Sequence, residues 1–297
     1  MKKHPPFPIP VVVEPVETGE ETLDYLPLPA TMETYSVPQL PEPEAFVDHA
    51  AALTALDAVR AALDAVVAGD TQTPRRIDLS VLDAAERILI QQTLGEGEVS
   101  ARIEGDGESI RIQEAVFAGV WRVLIEQDGR LIEDYVEVAT VPARVRDAVR
   151  TGQVPAPIAP AEASQTMNAP ALLAEIADHA AAWNADAPPH IINLSLLPLT
   201  PADHALLNTW TGSGRVVLLS RGYGNCRVSA TGIPTVWRVT YYNSQDVVIL
   251  DSIEIVGVPD VVCAAAEDFA DSARRLRDVL IWMRPAEGIG AIPAGSV

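Results

Sequence analysis

Two stretches of this chain, residues 76–142 and 191–259, carry the same landmarks in the same order, 115 to 117 positions apart. Ile77-Asp78-Leu79-Ser80 answers to Ile192-Asn193-Leu194-Ser195, and Leu94-Gly95-Glu96-Gly97-Glu98-Val99 to Thr211-Gly212-Ser213-Gly214-Arg215-Val216. Val120-Trp121-Arg122-Val123 answers to Val236-Trp237-Arg238-Val239. Asp134-Tyr135-Val136-Glu137-Val138 answers to Asp251-Ser252-Ile253-Glu254-Ile255, and Val141-Pro142 to Val258-Pro259. The period is far longer than a solenoid unit, so each stretch is expected to be a small domain of its own.

Helical spacing of Leu53, Leu56, Val59, Leu63 and Val66 predicts a helix within 45–67, ended by Gly69. Asp83-Ala84-Ala85-Glu86 is a capping box for a helix running to about Leu94. Its counterpart is Thr200-Pro201-Ala202-Asp203, with proline at the first helical position. Each stretch then reads as two hairpins. Strands 98–103 and 110–115 flank Glu104-Gly105-Asp106-Gly107, and 120–126 and 131–138 flank Gln127-Asp128-Gly129-Arg130. In the second stretch, 215–220 and 226–231 flank Arg221-Gly222-Tyr223-Gly224, and 237–242 and 247–255 flank Asn243-Ser244-Gln245-Asp246. A helix through Leu172, Leu173, Ile176 and Ala180 opens the second unit. A long one through Val262, Ala266, Phe269, Ala273, Leu276, Leu280 and Met283 closes it.

The fold class is therefore α+β: two tandem related domains, each of two helices plus a four-stranded antiparallel meander, with a C-terminal helix. The expected organisation is a proline-rich acidic arm over 1–44, a first repeat over 45–150 and a linker over 151–170. A second repeat with the C-terminal helix follows over 171–284, and a flexible tail over 285–297. The arm holds ten prolines, eight acidic residues and two lysines. Two readings stay open for it: a disordered tail, or an arm that docks through Tyr25-Leu26-Pro27-Leu28-Pro29 and Met32-Glu33-Thr34-Tyr35.

Charge excludes some functions. A formal net charge of −20 repels phosphate backbones, so nucleic-acid binding is not expected. No basic amphipathic face suits a membrane surface, and no apolar run is long enough to span one. Pro5, Pro6, Pro8, Pro10 and Glu14 interrupt any signal-peptide helix, and Cys226 and Cys263 form no paired motif. A reducing cytoplasm is the expected compartment.

No catalytic constellation emerges. The five histidines, His4, His49, His179, His190 and His204, are scattered in sequence, so no metal ligand set and no cofactor are expected. His49 and His179 are read as possible equivalents on the helices that open each unit. Gly95, Gly97, Gly212 and Gly214 follow a helix and enter a strand, the reverse of a phosphate loop, so they read as helix ends and turns. Asp134/Glu137 and Asp251/Glu254 lie three apart on strands, facing opposite ways, and read as residues that cap or pin a turn. Cys226 beside Arg227 has two readings, an activated thiolate or a small buried residue. Trp121 and Trp237 fall at the same strand position of each stretch, which argues for a core or inter-copy packing role. Adjacent Tyr241 and Tyr242 are expected to point to opposite faces. Arg221, Tyr223, Asn225, Cys226, Arg227, Trp237, Tyr241, Tyr242 and Asn243 form the candidate partner-binding set, because arginine, tyrosine and asparagine suit recognition surfaces.

Three strings carry a resemblance: Ser220 to Arg227, Val236 to Ser244, and Ile249 to Pro259. They look like the HupH/HyaF/HoxQ family of hydrogenase expression proteins. The N-terminal Leu26-Pro27-Leu28-Pro29-x-x-Met32-x-Thr34-Tyr35 and the weaker Gly95-x-Gly97-Glu98-Val99 resemble it too. The resemblance implies a non-catalytic cytoplasmic assembly factor for uptake NiFe hydrogenases. Such a factor holds the iron–sulfur small-subunit precursor and works alongside other maturation factors. The rival from another class is a thiol- or metal-dependent maturation enzyme or metallochaperone centred on Cys226. A structural interaction protein with an unrelated partner is a third reading, and homo-oligomerisation stays open.

Overall fold

The computed structural model describes residues 40–70, 75–105, 107–150, 152–155, 166–222 and 224–284. Residues 1–39 of the expected arm, the C-terminal tail, most of the linker, and Tyr223 lie outside them. A 3₁₀ turn, Pro43–Phe46, leads into helix α1 (Ala50–Val67). Then come β1 (Arg75–Asp78), α2 (Ala84–Leu94), β2 (Val99–Glu104), β3 (Glu108–Glu114), β4 (Val120–Gln127), β5 (Arg130–Val138) and α3 (Ala143–Ala148). The second half supplies α4 (Ala169–Ala182), β6 (His190–Asn193), α5 (Pro201–Thr211), β7 (Val216–Ser220), β8 (Asn225–Ala230), β9 (Val236–Tyr242) and β10 (Val248–Ile255). Helix α6 (Ala266–Met283) ends the described chain.

The same devices start and stop the short helices. Asp83 and Thr200 each accept a hydrogen bond from the backbone N–H three residues on, and Glu86 and Asp203 in turn accept the N–H of the cap residue. Gly95 and Gly212 close α2 and α5 at φ 60° and 63°, a region that suits glycine. A Cβ on Gly97 would run into the Ala115 carbonyl, and one on Gly214 into that of Thr231, so both positions serve close backbone approach.

The fold is α+β, with a sheet larger than the two four-stranded meanders expected. All ten strands form one antiparallel sheet in the order β1-β5-β4-β3-β2-β7-β8-β9-β10-β6. Two facts make the difference. The short strands β1 and β6 pair antiparallel with β5 and β10, giving each half a fifth strand. Strands β2 and β7 then pair with each other, from Val99 opposite Ser220 to Ile103 opposite Val216, which joins the halves. Neither pairing is encoded in a hairpin turn, so strand spacing alone does not reveal them.

The sheet has two faces with different covers. One face of β2–β5 and of β7–β9 supplies a single core containing Trp121, Val123, Ile125, Leu218, Val228, Trp237 and Val239. Both tryptophans are fully buried in it. The Trp121 indole donates to the Ala139 carbonyl (2.8 Å), and that of Trp237 to the Val256 carbonyl (3.1 Å). At the second half, Leu172, Leu173 and Ile176 of α4 and Leu207 of α5 pack with Ile192, Val236, Ile253 and Ile255.

Helix α6 follows the second half in sequence but packs on the first. Phe269, Ala273, Leu276, Leu280 and Met283 join Phe46, Leu56, Val59 and Leu63 in one core. Ala264 donates its N–H to the Thr140 carbonyl (2.8 Å) at the crossing, and Arg277 and Arg284 reach Asp64 and Asp57 of α1. Each buried Leu or Phe contributes roughly 1.5–3 kcal/mol, which far outweighs the exposed ion pairs. The expectation that placed this helix with the second unit is corrected: its apolar stripe completes the core of the first.

Candidate functional site

Strand alternation divides the nine residues of the candidate partner-binding set. In the β8–β9 pair, Cys226 lies opposite Tyr241 and Ala230 opposite Trp237, and these positions face the central core. Asn225 lies opposite Tyr242, and Arg227 opposite Thr240, on the other face. Cys226 is 3% exposed and Trp237 fully buried, so neither can touch a partner on the folded surface. Their place in the set is corrected. Arg221 is exposed just after β7, with its N–H on the Glu98 carbonyl (3.1 Å).

Of the two readings of Cys226, the structure supports the small buried residue rather than the activated thiolate. Burial pushes its thiol up to about 11, with the Tyr241 hydrogen bond only partly opposing the rise. Tyr241 is itself raised to about 12 by burial and by the neighbouring thiol. Arg227 points away, its Nε donating to Ser229 Oγ (3.2 Å). Cys263 is likewise pushed up to about 12 by burial and the Asp260 charge. Both shifts favour the thiol over the thiolate at neutral pH, the weaker form for a nucleophile.

Of the four carboxylates expected to pin turns, Glu137 does so, whereas Asp134 and Asp251 hold arginines instead. Asp134 holds the Arg122 guanidinium with two hydrogen bonds (3.2 and 3.0 Å), and Asp251 holds Arg238 in the same two-pronged way. Arg122 also reaches Gln91 of α2 (2.7 Å), and Arg238 reaches Asn208 of α5 (3.3 Å), so each arginine clamps a helix to the sheet. Glu137 accepts the Ala143 N–H (2.8 Å) and so caps α3. It also stands 3.5 Å from Arg76 Nε. Glu254 has Ile191 opposite it in β6 where Glu137 has Arg76, and burial with the Asp260 charge raises its pKa.

What stays open to solvent is the far end of the β9–β10 hairpin. Asn243 Oδ1 accepts the Gln245 and Val247 N–H groups (2.8 and 3.0 Å), folding the turn back on itself. Beyond it, Val247, Val248 and Ile249 are 55%, 41% and 62% exposed. Val248 pairs with Tyr242, which pairs with Asn225, and the register slips between Val248 and Leu250. Three exposed branched residues at a bulged hairpin tip, rimmed by tyrosine and asparagine, have the composition of a protein contact site. The two valines and the isoleucine of this tip are absent from the candidate set. Their signal was the apolar run Val247-Val248-Ile249-Leu250, in which alternation is lost.

The histidines are less scattered than their spacing suggests. His49 is the residue before α1, whereas His179 lies in the last turn of α4, so the two are not equivalent. His179 instead stacks on His190, ring centroids 3.5 Å apart.

Residues 49–150 and 166–283 match the family described as HupH hydrogenase expression protein, C-terminal conserved region. The chain belongs to this family. It is 46% identical over 290 residues to the hydrogenase expression/formation protein HoxQ of Cupriavidus necator, covering 93% of this chain and 98% of that one. It is 45% identical over 270 residues to HupH of Rhodobacter capsulatus, covering 90% and 93%. The hydrogenase-1 operon protein HyaF of Escherichia coli is 38% identical over 212 residues, covering 71% and 74%. Within this family member, no helix among the described residues is long and apolar enough to cross a membrane.

Proposed function

We propose that this chain serves hydrogenase maturation by binding a protein rather than by catalysis. Its partner in this reading is the iron–sulfur small-subunit precursor, held in the cytoplasm until assembly. The family and the names of its relatives support the maturation role. The exposed Val247-Val248-Ile249 tip beside Tyr242 and Asn225 carries the binding role, since an apolar patch with a polar rim is what another polypeptide covers. Two further features support it. Of the thiols that an enzyme would use, Cys226 is buried and Cys263 half-buried, and burial raises the pKa of both. The acidic charge suits a basic segment on the partner. The matched landmarks of the halves fit descent from one duplicated unit.

Affinity capture with the full-length protein from hydrogenase-producing cells tests the reading. Recovery of the small-subunit precursor is the expected result. A deletion strain that assembles hydrogenase normally, with no precursor captured, would overturn it.

A further inference from the structure

One group of side chains has no part in the reading above, and lies at the other end of β10 from the hairpin tip, where the edge strand β6 places His190 opposite Ile255. Glu175 and His179 stand four apart on α4, which places both on one face of the helix. His190 is the first residue of β6 and comes up against them after the turn that follows α4. His190 Nε2 lies 2.7 Å from Glu175 Oε1, and the two imidazoles stack with planes 7° apart. One ligand atom from each of the three residues falls within 4.8 Å of the others, the one such group among the described residues. Glu175 and His190 keep 42% and 31% of their side chains exposed, so an ion has access.

The fold does not demand these residues. At the matching places 115 positions earlier stand Arg60, Asp64 and Arg75. There Arg60 pairs with Asp64, and Asp64 is also reached by Arg277 of α6. The first half therefore fills this place with a salt bridge that fastens α6. Among the described residues the second half has no such helix there, and it holds two imidazoles and a carboxylate instead.

We propose that Glu175, His179 and His190 form a binding site for one divalent first-row transition ion of the zinc–nickel–copper kind. Two neutral imidazoles and one carboxylate are the donors such ions prefer, whereas magnesium and calcium take oxygen alone. Ligand atoms around one tetrahedral ion lie roughly 3–3.5 Å apart, so the two rings unstack and tilt their nitrogens toward a common ion, and water completes the shell. The ion replaces the His190–Glu175 hydrogen bond as the link between α4 and β6. The site is independent of the partner-binding reading, because it is tested without a partner.

Calorimetric titration of Zn²⁺ and Ni²⁺ into the full-length, tag-free protein decides the matter. One ion per chain is expected, together with a rise in the thermal midpoint. His179→Ala and His190→Ala each weaken binding at least the ~10-fold that loss of an outer-shell partner costs. They also abolish the thermal rise, while far-ultraviolet circular dichroism stays unchanged. His4→Ala and His204→Ala retain the ion. Wild-type protein that takes up no ion, or His179→Ala and His190→Ala variants that bind as tightly as wild type, would overturn the proposal.

Discussion

Ala101 and Leu218 occupy the same place in the two matched stretches, 117 positions apart, and lie directly opposite one another in the β2–β7 pair. The neighbouring pairs mirror each other around them: Val99 faces Ser220, and Ile103 faces Val216. An antiparallel pair centred on equivalent residues has a local two-fold axis at its middle. Both halves therefore present the same face to one core, and their tryptophans share it.

A shared core should melt as one. Leu218→Ala removes fully buried methyl groups at the junction, with an expected cost of about 2–4 kcal/mol. Urea unfolding followed by tryptophan fluorescence and by circular dichroism should give a single coincident transition in wild type and variant. Two separated transitions would show that the halves unfold independently.

Asp203 ties α4 to α5. Its carboxylate is fully buried and accepts the N–H groups of Met167, Asn168 and Ala169 and both the N–H and the hydroxyl of Thr200. Burial alone would raise its pKa, but these five hydrogen bonds outweigh it and hold the group well below the usual carboxylate range. A depressed folded pKa contributes stability above the ordinary value near 4, and that stability is lost as pH falls below it. Asp203→Asn should cost about 2–4 kcal/mol at pH 7. The gap to wild type should narrow below about pH 4, as measured by urea midpoints across pH.

Glu114 behaves in the opposite sense. Burial raises its pKa to about 7, with the Glu98 and Asp268 charges adding to the rise and the Gly119 N–H opposing it. The second half has Ala230 in the corresponding place, across from Trp237 as Glu114 is from Trp121. A raised folded pKa contributes stability that is complete below the unfolded value and is lost as pH climbs through about 7. Wild type should lose about 2–3 kcal/mol between pH 4.5 and 8 from this group. Glu114→Gln, which keeps the size and an acceptor for Gly119, should flatten that part of the profile.

Cys226 should be inert. With its thiol near 11 and 3% exposed, alkylation of native protein at pH 7.5 should be far slower than in denaturant. Cys226→Ser in producing cells should leave hydrogenase activity intact. Loss of activity in a folded variant would revive a thiol-based role.

The β9–β10 tip should govern partner capture and little else. Val247→Glu with Ile249→Glu places charge on residues already in water, so the thermal midpoint should hold while capture of the precursor drops at least tenfold. Equal capture by wild type and variant would move the contact elsewhere on the molecule.

Much of the local structure was legible from residues close in sequence. The capping boxes at Asp83 and Thr200, the glycine ends at Gly95 and Gly212 and the Asp128-Gly129 turn depend on neighbours within four positions. Alternation likewise put Tyr241 and Tyr242 on opposite faces. It said nothing of which face would be covered, so Cys226 and Trp237 stood in the partner-binding set beside their reading as packed residues, and burial decided for the packed reading. Glu175 and His179 carried a readable four-residue spacing, but the return of His190 to meet them depends on where β6 docks.

By itself the sequence determined the elements, their order and the likeness of its two stretches, because caps, turns and hydrophobic periods act over a few residues. Tertiary structure alone decided that β2 would meet β7, that α6 would cross to α1, and that two distant histidines would stack. Those outcomes depend on which apolar faces bury each other best. That choice is made among whole surfaces and is not written in any local pattern.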